Sequence, residues 1–557
     1  MERRLIRQLL RVAALVRAAA TILLFAALAA PVCQARGDST ANVGEAIYRD
    51  GVTGSGKPLE ATRESGVRME GKDAACVNCH RRSGLGSREG LISIPPITGR
   101  YLFHPRASET EAPDLPYVEN MRADRDPYTD ATLARAIREG IDAQGKQLHY
   151  LMPRFASLGD ADMAALIGYL KDLNPRRSPG VSDTVLHFAT IITPDADPVK
   201  ARGMLDVLER YFEDKNTFPI GATPPLRSTR KWKYMVNRLW QLHVWQLTGP
   251  ASGWQQQLER HFAKEPVLAV VSGLGGKNWA PVHAFCEHQA VPCLFPNVET
   301  PPVDADRDFY SLYFSKGVEL EAELIASSIL KPDSGKAAKV VQQVYRAGDS
   351  GEAGAQALAA LLEQHGITVR SRVLPAGAPG QGVAKALHPD STADALVLWL
   401  RPADIAALDS APAAPVAVFM SGMMGGLERS PLPSGWRDRV HLTYPFALPE
   451  QRRVNVDYAF GWFRLRHIPV VAEQVQADTF LACVLLSQML KHVVDTFVPE
   501  YLVERIEDML DRQIITGYYP HLTLAPGQRF ASKGGYLVQF SGLEGTRIAA
   551  DGKWTVP

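Results

Sequence analysis

The sequence predicts a multidomain chain in which an all-α domain over residues 41–174 precedes a larger, two-lobed α/β domain over residues 183–545. Three observations carry this reading. A length of 557 residues exceeds one ordinary domain. Residues 41–174 carry helix-spaced apolar positions around Cys76-Val77-Asn78-Cys79-His80. From Val185 onward, apolar runs of strand length alternate with helix-like segments, a pattern that implies doubly wound, mostly parallel sheets. So long an alternating stretch does not close as one core, hence two lobes. With 46% apolar and 22% charged residues the chain reads as globular, and a formal charge of +1 gives no reason to expect nucleic acid.

The N-terminus stands apart from these domains. Arg3, Arg4, Arg7, Arg11 and Arg17 accompany a short apolar run from Ala18 to Ala30, which reads as a secretory signal peptide over residues 1–35. Small residues allow cleavage after Ala35, with Ala30 as the alternative. Cys33 is then discarded, or else carries a lipid. Retention of the segment as a membrane anchor is the other reading, and apart from a lipid on Cys33 a membrane is involved only then.

Cys76 and Cys79, followed directly by His80, have the spacing of covalent haem attachment. The thiols add across two vinyl groups, and the imidazole is placed to become an axial ligand. A zinc site would need a second ligand pair, and Cys33, Cys286, Cys293 and Cys483 do not supply one nearby. Two helices follow from local rules. One runs from Asp130, capped by Thr129, to Gly140. The other starts after Gly159 with Asp160 and Asp162 in its first turn, repeats Met163, Leu166, Ile167 and Leu170 on one face, and ends at Asn174-Pro175.

Gly44 and Tyr48 on an N-terminal helix, with Leu166 and Tyr169 on the later one, extend the likeness beyond the haem motif. Residues 41–174 resemble a class I cytochrome c domain, in which such positions let the first and last helices cross. The resemblance implies one covalent haem c and single-electron transfer. It also implies a sixth ligand from the loop Leu151-Met152-Pro153, which makes Met152 the candidate beside His80; His149 and His104 are alternatives, and Met121 and Met163 weaker ones. His/Met ligation fills both axial positions and raises the reduction potential relative to two histidines. Pro95, in Pro95-Pro96-Ile97-Thr98-Gly99, matches the family's proline whose carbonyl accepts from the ligating histidine, though it lies later after His80 than is usual. Asp50–Ala75 and His104–Pro127 are longer than a minimal domain needs, either as loops around the haem edge or as inert insertions.

Residues 175–182 read as a linker. Beyond it, strands are expected at Val185–Ile192, Leu239–Leu247, Val267–Val271, Pro292–Phe295, Val340–Val344, Thr368–Leu374, Ala395–Leu400 and Val416–Met420. Gly273-Leu274-Gly275-Gly276 after a buried strand, the strand and exit loop Pro292–Asn297, and the segment from Phe309 to the helix after Gly317 carry a second likeness. So do helices from Ala472 and Glu500 and a strand pair around Leu522 and Tyr536–Phe540, with residues 546–557 as a tail. This architecture resembles type I periplasmic binding proteins of ABC importers. The resemblance implies a small-molecule cleft on loops at the C-terminal ends of strands: Ser272, Gly273, Gly275, Gly276, Asn297, Thr300 and Ser421. Backbone N–H groups at the glycine stretches suit an anion, whereas the hydroxyl groups that hold an amino acid in the family are not clearly reproduced. Cys286 and Cys293 bracket a helix end and the next strand, which suggests a disulfide after export; two buried thiols are the alternative.

Three functions are open. The first is an exported, periplasmic electron-transfer protein whose partner is a periplasmic dehydrogenase, passing electrons towards an oxidase. The second is a solute receptor for an amino-acid or amide-like ligand with a redox-sensing haem domain. The third, an enzyme such as a peroxidase, ranks lowest, because a six-coordinate iron has no open site and a second haem motif is missing from the sequence.

Overall fold

The computed structural model describes residues 35–90, 92–104, 125–173, 178–217, 238–302, 308–331, 338–377, 379–387, 393–408, 417–490, 493, 497–512, 517–541 and 547–557. The expected signal segment before Ala35, Cys33 and Met121 lie outside them. The chain divides at Asn174–Pro175 into two compact units.

The first unit has helices α1 (Ala35–Asp50), α2 (Val77–His80), α3 (Gly99–Phe103), α4 (Asp130–Glu139) and α5 (Asp160–Asp172), and α1 crosses α5. The crossing is tight because Gly44 has no side chain: a Cβ there would lie 2.3 Å from the Ala165 carbonyl oxygen and 2.7 Å from the Tyr169 Cβ. Tyr48 and Tyr169 pack with ring centroids 5.2 Å apart. The Tyr48 hydroxyl donates to the Arg81 carbonyl at 2.7 Å, tying α1 to the chain just after His80. Helix α4 (Asp130–Glu139) opens on a reciprocal Thr129/Thr132 capping box and stops at Gly140 in the left-handed conformation, φ 75°. Helix α5 starts after Gly159 and buries Met163, Leu166, Ile167 and Leu170. Its exposed Asp160 pairs with Arg138 at 2.7 Å.

The unit is not all helical. Antiparallel ribbons β1 (Glu60–Thr62) with β2 (Arg68–Glu70), and β3 (Ser87–Glu89) with β4 (Ile92–Ile94), sit between the helices. The long segment Asp50–Ala75 supplies the first ribbon, and its Leu59, Ala61 and Ala74 join the core. Thr62 and Arg154 exchange two backbone hydrogen bonds of 2.9 Å, so this segment holds the chain just after Met152. It is part of this unit's packed framework, not an inert insertion.

The second unit has two sheets. The first lobe is parallel, in the order β6 (Leu239–Gln246), β5 (Val185–Ile192), β7 (Ala269–Val271), β8 (Cys293–Leu294), β9 (Ser311–Leu312). The second runs β11 (Thr368–Leu374), β10 (Val340–Arg346), β12 (Ala395–Trp399), β13 (Ala417–Met420), β14 (Val440–Tyr444), β15 (Tyr536–Ser541), β16 (Arg547–Ala550), with β15 and β16 antiparallel. All eight expected apolar runs fall on strands.

Three expectations change. Leu522 is buried but lies outside any strand. Residues 546–557 are not a tail, because β16 extends the sheet edge and Gly535 and Thr555 exchange two backbone hydrogen bonds of 2.9 Å. Cys286 and Cys293 are free thiols, both fully buried in the first lobe's core. Burial pushes the Cys286 thiol well above its ordinary range, so it stays protonated, the state in which a thiol is least reactive.

Replacing Gly44 by valine forces a branched side chain into the α1–α5 crossing. We expect Gly44→Val to destabilise the haem-side unit by about 1–3 kcal/mol in chemical denaturation followed by haem absorbance, while Ser55→Val on the exposed neighbouring turn leaves it unchanged.

Candidate functional site

The haem motif forms a single helical turn, Val77–His80, with Cys76 at its N-cap. Gly86 then lets the chain return close to β4: with φ 81°, a Cβ there would lie 2.1 Å from the Ile94 carbonyl oxygen. That approach brings Pro95 to His80, whose Nδ1 lies 3.1 Å from the Pro95 carbonyl oxygen. A carbonyl can only accept, so Nδ1 carries the proton and Nε2 keeps its lone pair for a metal. Burial lowers the His80 pKa to about 4, with the Pro95 contact acting in the opposite direction, so the ring is neutral at physiological pH.

Cys76, Cys79, His80, Pro95 and Met152 all line one cavity of about 480 Å³, within the range of roughly 300–1,000 Å³ for small-molecule and cofactor pockets. Leu133, Ile137, Phe155, Leu166 and Leu170 give it an apolar wall. Among the alternative sixth ligands, His149 also lines the cavity but is exposed, and its Nδ1 accepts from the Leu151 N–H at 3.3 Å; His104 does not line it. Met163 is 3% exposed in the core. Met152 packs against that core, its N–H donates to the His149 carbonyl at 3.0 Å, and the Arg154 guanidinium donates to the Met152 carbonyl.

Two arginines on the cavity wall escaped the sequence reading. Arg125 is only 6% exposed and donates to the carbonyls of Asp126, Tyr101 and Leu102 at 2.8, 2.6 and 3.3 Å, with its guanidinium 4.4 Å from the Tyr128 ring centroid. It has no carboxylate partner among the described residues. Arg63, at the turn of the first ribbon, also lines the cavity, and its Nε is buried without a hydrogen-bond partner. A buried cation without a counter-charge is costly. The residues therefore fit haem c: two thiols, a neutral imidazole, a thioether, apolar walls, and two lining cations, buried Arg125 and half-buried Arg63, that would suit an anionic group.

The expected cleft of the larger unit is organised differently. Ser272, fully buried, bonds Thr479 Oγ1 at 3.1 Å and accepts from Asn297 Nδ2 at 3.0 Å. Gly273 and Gly275 back onto Trp279, which leaves no room for side chains. The Gly276 N–H donates to Thr193 Oγ1 at 3.1 Å, and the Lys277 N–H to Asp195 Oδ2 at 2.7 Å. Burial acts to raise the Asp195 pKa, but these donors and the Thr193 hydroxyl hold it below the usual range. Thr300 donates to the Lys277 carbonyl at 3.4 Å.

Ser421 stands in the other lobe, away from this set. Its hydroxyl donates to Glu321, whose carboxylate also accepts from the Met423 N–H at 2.9 Å and Thr443 Oγ1 at 2.6 Å. Burial pushes Glu321 up to about 7 against these bonds. Donors that the sequence offered to a ligand thus meet partners within the chain: the Ser421 hydroxyl meets the Glu321 carboxyl group and the Gly276 N–H meets the Thr193 hydroxyl.

No curated protein matches this chain. The larger unit is similar to a leucine-binding protein from Thermotoga maritima (12% identity, 66% of this chain and 98% of that one, TM-score 0.47). It is also similar to a branched-chain amino acid ABC transporter protein from Thermus thermophilus with bound valine (10% identity, 68% and 97%, TM-score 0.49). The cytochrome c family model matches residues 71–174, the segment that holds Cys76, Cys79, His80, Pro95 and Met152, and this part of the chain is a cytochrome c domain.

Proposed function

We propose that the protein is an exported electron carrier with one haem c, a single-electron relay rather than an enzyme, working in the periplasm with a redox partner such as a dehydrogenase or an oxidase chain. The observation that carries this is the shared cavity wall of Cys76, Cys79, His80 and Met152. Bound there, haem supplies a one-electron iron couple. Cys76 and Cys79 anchor it, His80 presents a neutral imidazole fixed by Pro95, and Met152 offers a thioether from a loop held by Thr62 and Arg154. Were His80 and Met152 both to bind the iron, no coordination position would stay open, which would favour electron transfer over peroxide or oxygen chemistry.

On this reading the two-lobed unit serves docking or small-molecule binding beside the relay. The alternative, a solute receptor with a redox-sensing haem domain, draws on the two-lobed architecture. It is weakened by the internal hydrogen bonds at Gly276, Lys277 and Ser421.

Met152→Ala is expected to keep covalent haem and to lose the weak near-infrared methionine-to-iron band of the oxidised protein. An unchanged band would remove Met152 from the ligand set and bring His149 forward. Arg125→Gln takes a positive charge from beside the haem, which favours the oxidised state. Its midpoint potential should fall by roughly tens of millivolts in spectroelectrochemistry, while Arg125→Lys stays close to the parent. Equal shifts in both variants would mean that Arg125 acts through packing alone.

A further inference from the structure

In open α/β sheets, ligands gather outside the C-terminal ends of the strands. In the larger unit that region holds a charged cluster joining the two lobes. Glu299 follows β8 in the first lobe, and its carbonyl accepts from the Val318 N–H at 2.9 Å, where the chain enters the second lobe. Asp349 and Ser350 follow β10, and Arg401 follows β12, all at the C-terminal edge of the second sheet.

Arg401 grips Glu299 with both terminal nitrogens, Nη1 to Oε1 at 2.8 Å and Nη2 to Oε2 at 2.6 Å. Its other side meets Asp349, Nε to Oδ2 at 3.0 Å and Nη2 to Oδ1 at 2.7 Å. Ser350 Oγ adds a third bond to the Glu299 carboxylate at 2.7 Å. A planar guanidinium that meets a carboxylate through two parallel N–H···O bonds is a strong and directional arrangement. Burial opposes the Glu299 charge, but Arg401 and Ser350 outweigh it and hold the carboxyl below its usual range.

We propose that Arg401 and Ser350 form a carboxylate-binding site on the second lobe, filled in cis by Glu299 of the first lobe. This internal ligand holds the cleft shut without any small molecule. A free amino acid would have to displace a tethered carboxylate whose ordering cost is already met by the fold, so the site disfavours external carboxylates. Asp195 on the Lys277 N–H and Glu321 on the Ser421 and Met423 donors follow the same plan within each lobe. The inference concerns the two-lobed unit alone and stands or falls independently of the relay reading, which the near-infrared band tests.

The test uses the full-length holoprotein and its Glu299→Ala variant. Thermal unfolding of the larger unit is followed by far-ultraviolet circular dichroism, and lobe opening by small-angle X-ray scattering. Glu299→Ala should lower the transition by about 4–8 °C and enlarge the radius of gyration. Millimolar sodium acetate, compared with chloride at equal ionic strength, should restore a substantial part of both changes. The double variant Glu299→Ala/Arg401→Met should not respond to acetate, and the unsubstituted protein should respond neither to acetate nor to leucine. Rescue absent in Glu299→Ala, or equal in the double variant, overturns the assignment. A rise in the parent's transition with leucine at micromolar concentration also overturns it, because an external ligand would then be displacing Glu299. Should Glu299→Ala fail to fold, Glu299→Gln preserves the shape and must still lower the transition and enlarge the radius; an unchanged radius counts against the latch.

Discussion

The contact between His80 and the Pro95 carbonyl sets the chemistry of the haem side. It fixes which ring nitrogen carries the proton, and so which one is free for a metal. That contact depends on Gly86, since any side chain there would collide with the Ile94 carbonyl and push Pro95 away. It also depends on Tyr48, which anchors the chain just after His80 to the first helix, and therefore on the Gly44 crossing that places that helix. A chain of short-range contacts thus runs from one glycine in α1 to the orientation of one imidazole.

The opposite wall is held by different means. Met152 lies on a loop with little regular structure, and loops tend to move. Here the first ribbon restrains it through the Thr62–Arg154 pair, while Arg154 reaches back to the Met152 carbonyl. The long segment before the haem motif therefore bears on the sixth-ligand loop, and its turn delivers Arg63 to the same cavity.

What could be read from the sequence followed the range of the interactions involved. Helix α5 announced itself through first-turn acids and an i, i+3, i+4 repeat, and β5 and β12 through apolar runs of strand length between helix-like segments. The Cys76–His80 turn is local, and Pro95 lies only 15 residues beyond His80. Arg63 and Arg125 gave no signal, because a charged residue in a polar segment is ordinarily a solvated one. The donors at Gly276 and Lys277 were legible as a glycine turn, but their acceptors are distant in the chain: Thr193 Oγ1 lies 83 residues before Gly276 and Asp195 lies 82 residues before Lys277. Arg401 and Glu299 are 102 residues apart, and only the meeting of two sheets brings them together. Edge strand β16, Arg-Ile-Ala-Ala, has too little β-branched character to stand out from a tail.

Charge is handled differently at the haem cavity and at the expected cleft. Around the haem cavity, buried Arg125 and half-buried Arg63 have no carboxylate partner among the described residues, a setting that suits an anionic cofactor. In the two-lobed unit, Arg401 already faces Glu299 and Asp349, and Glu321 and Asp195 already hold their donors. A receptor that closes around a solute needs unmatched groups in the open state, because the free energy of closure comes from matching them. Where those groups are matched within the chain, closure no longer reports a ligand. On the proposed reading the two-lobed unit is then a fixed body whose lobes are held by its own side chains and not by a solute.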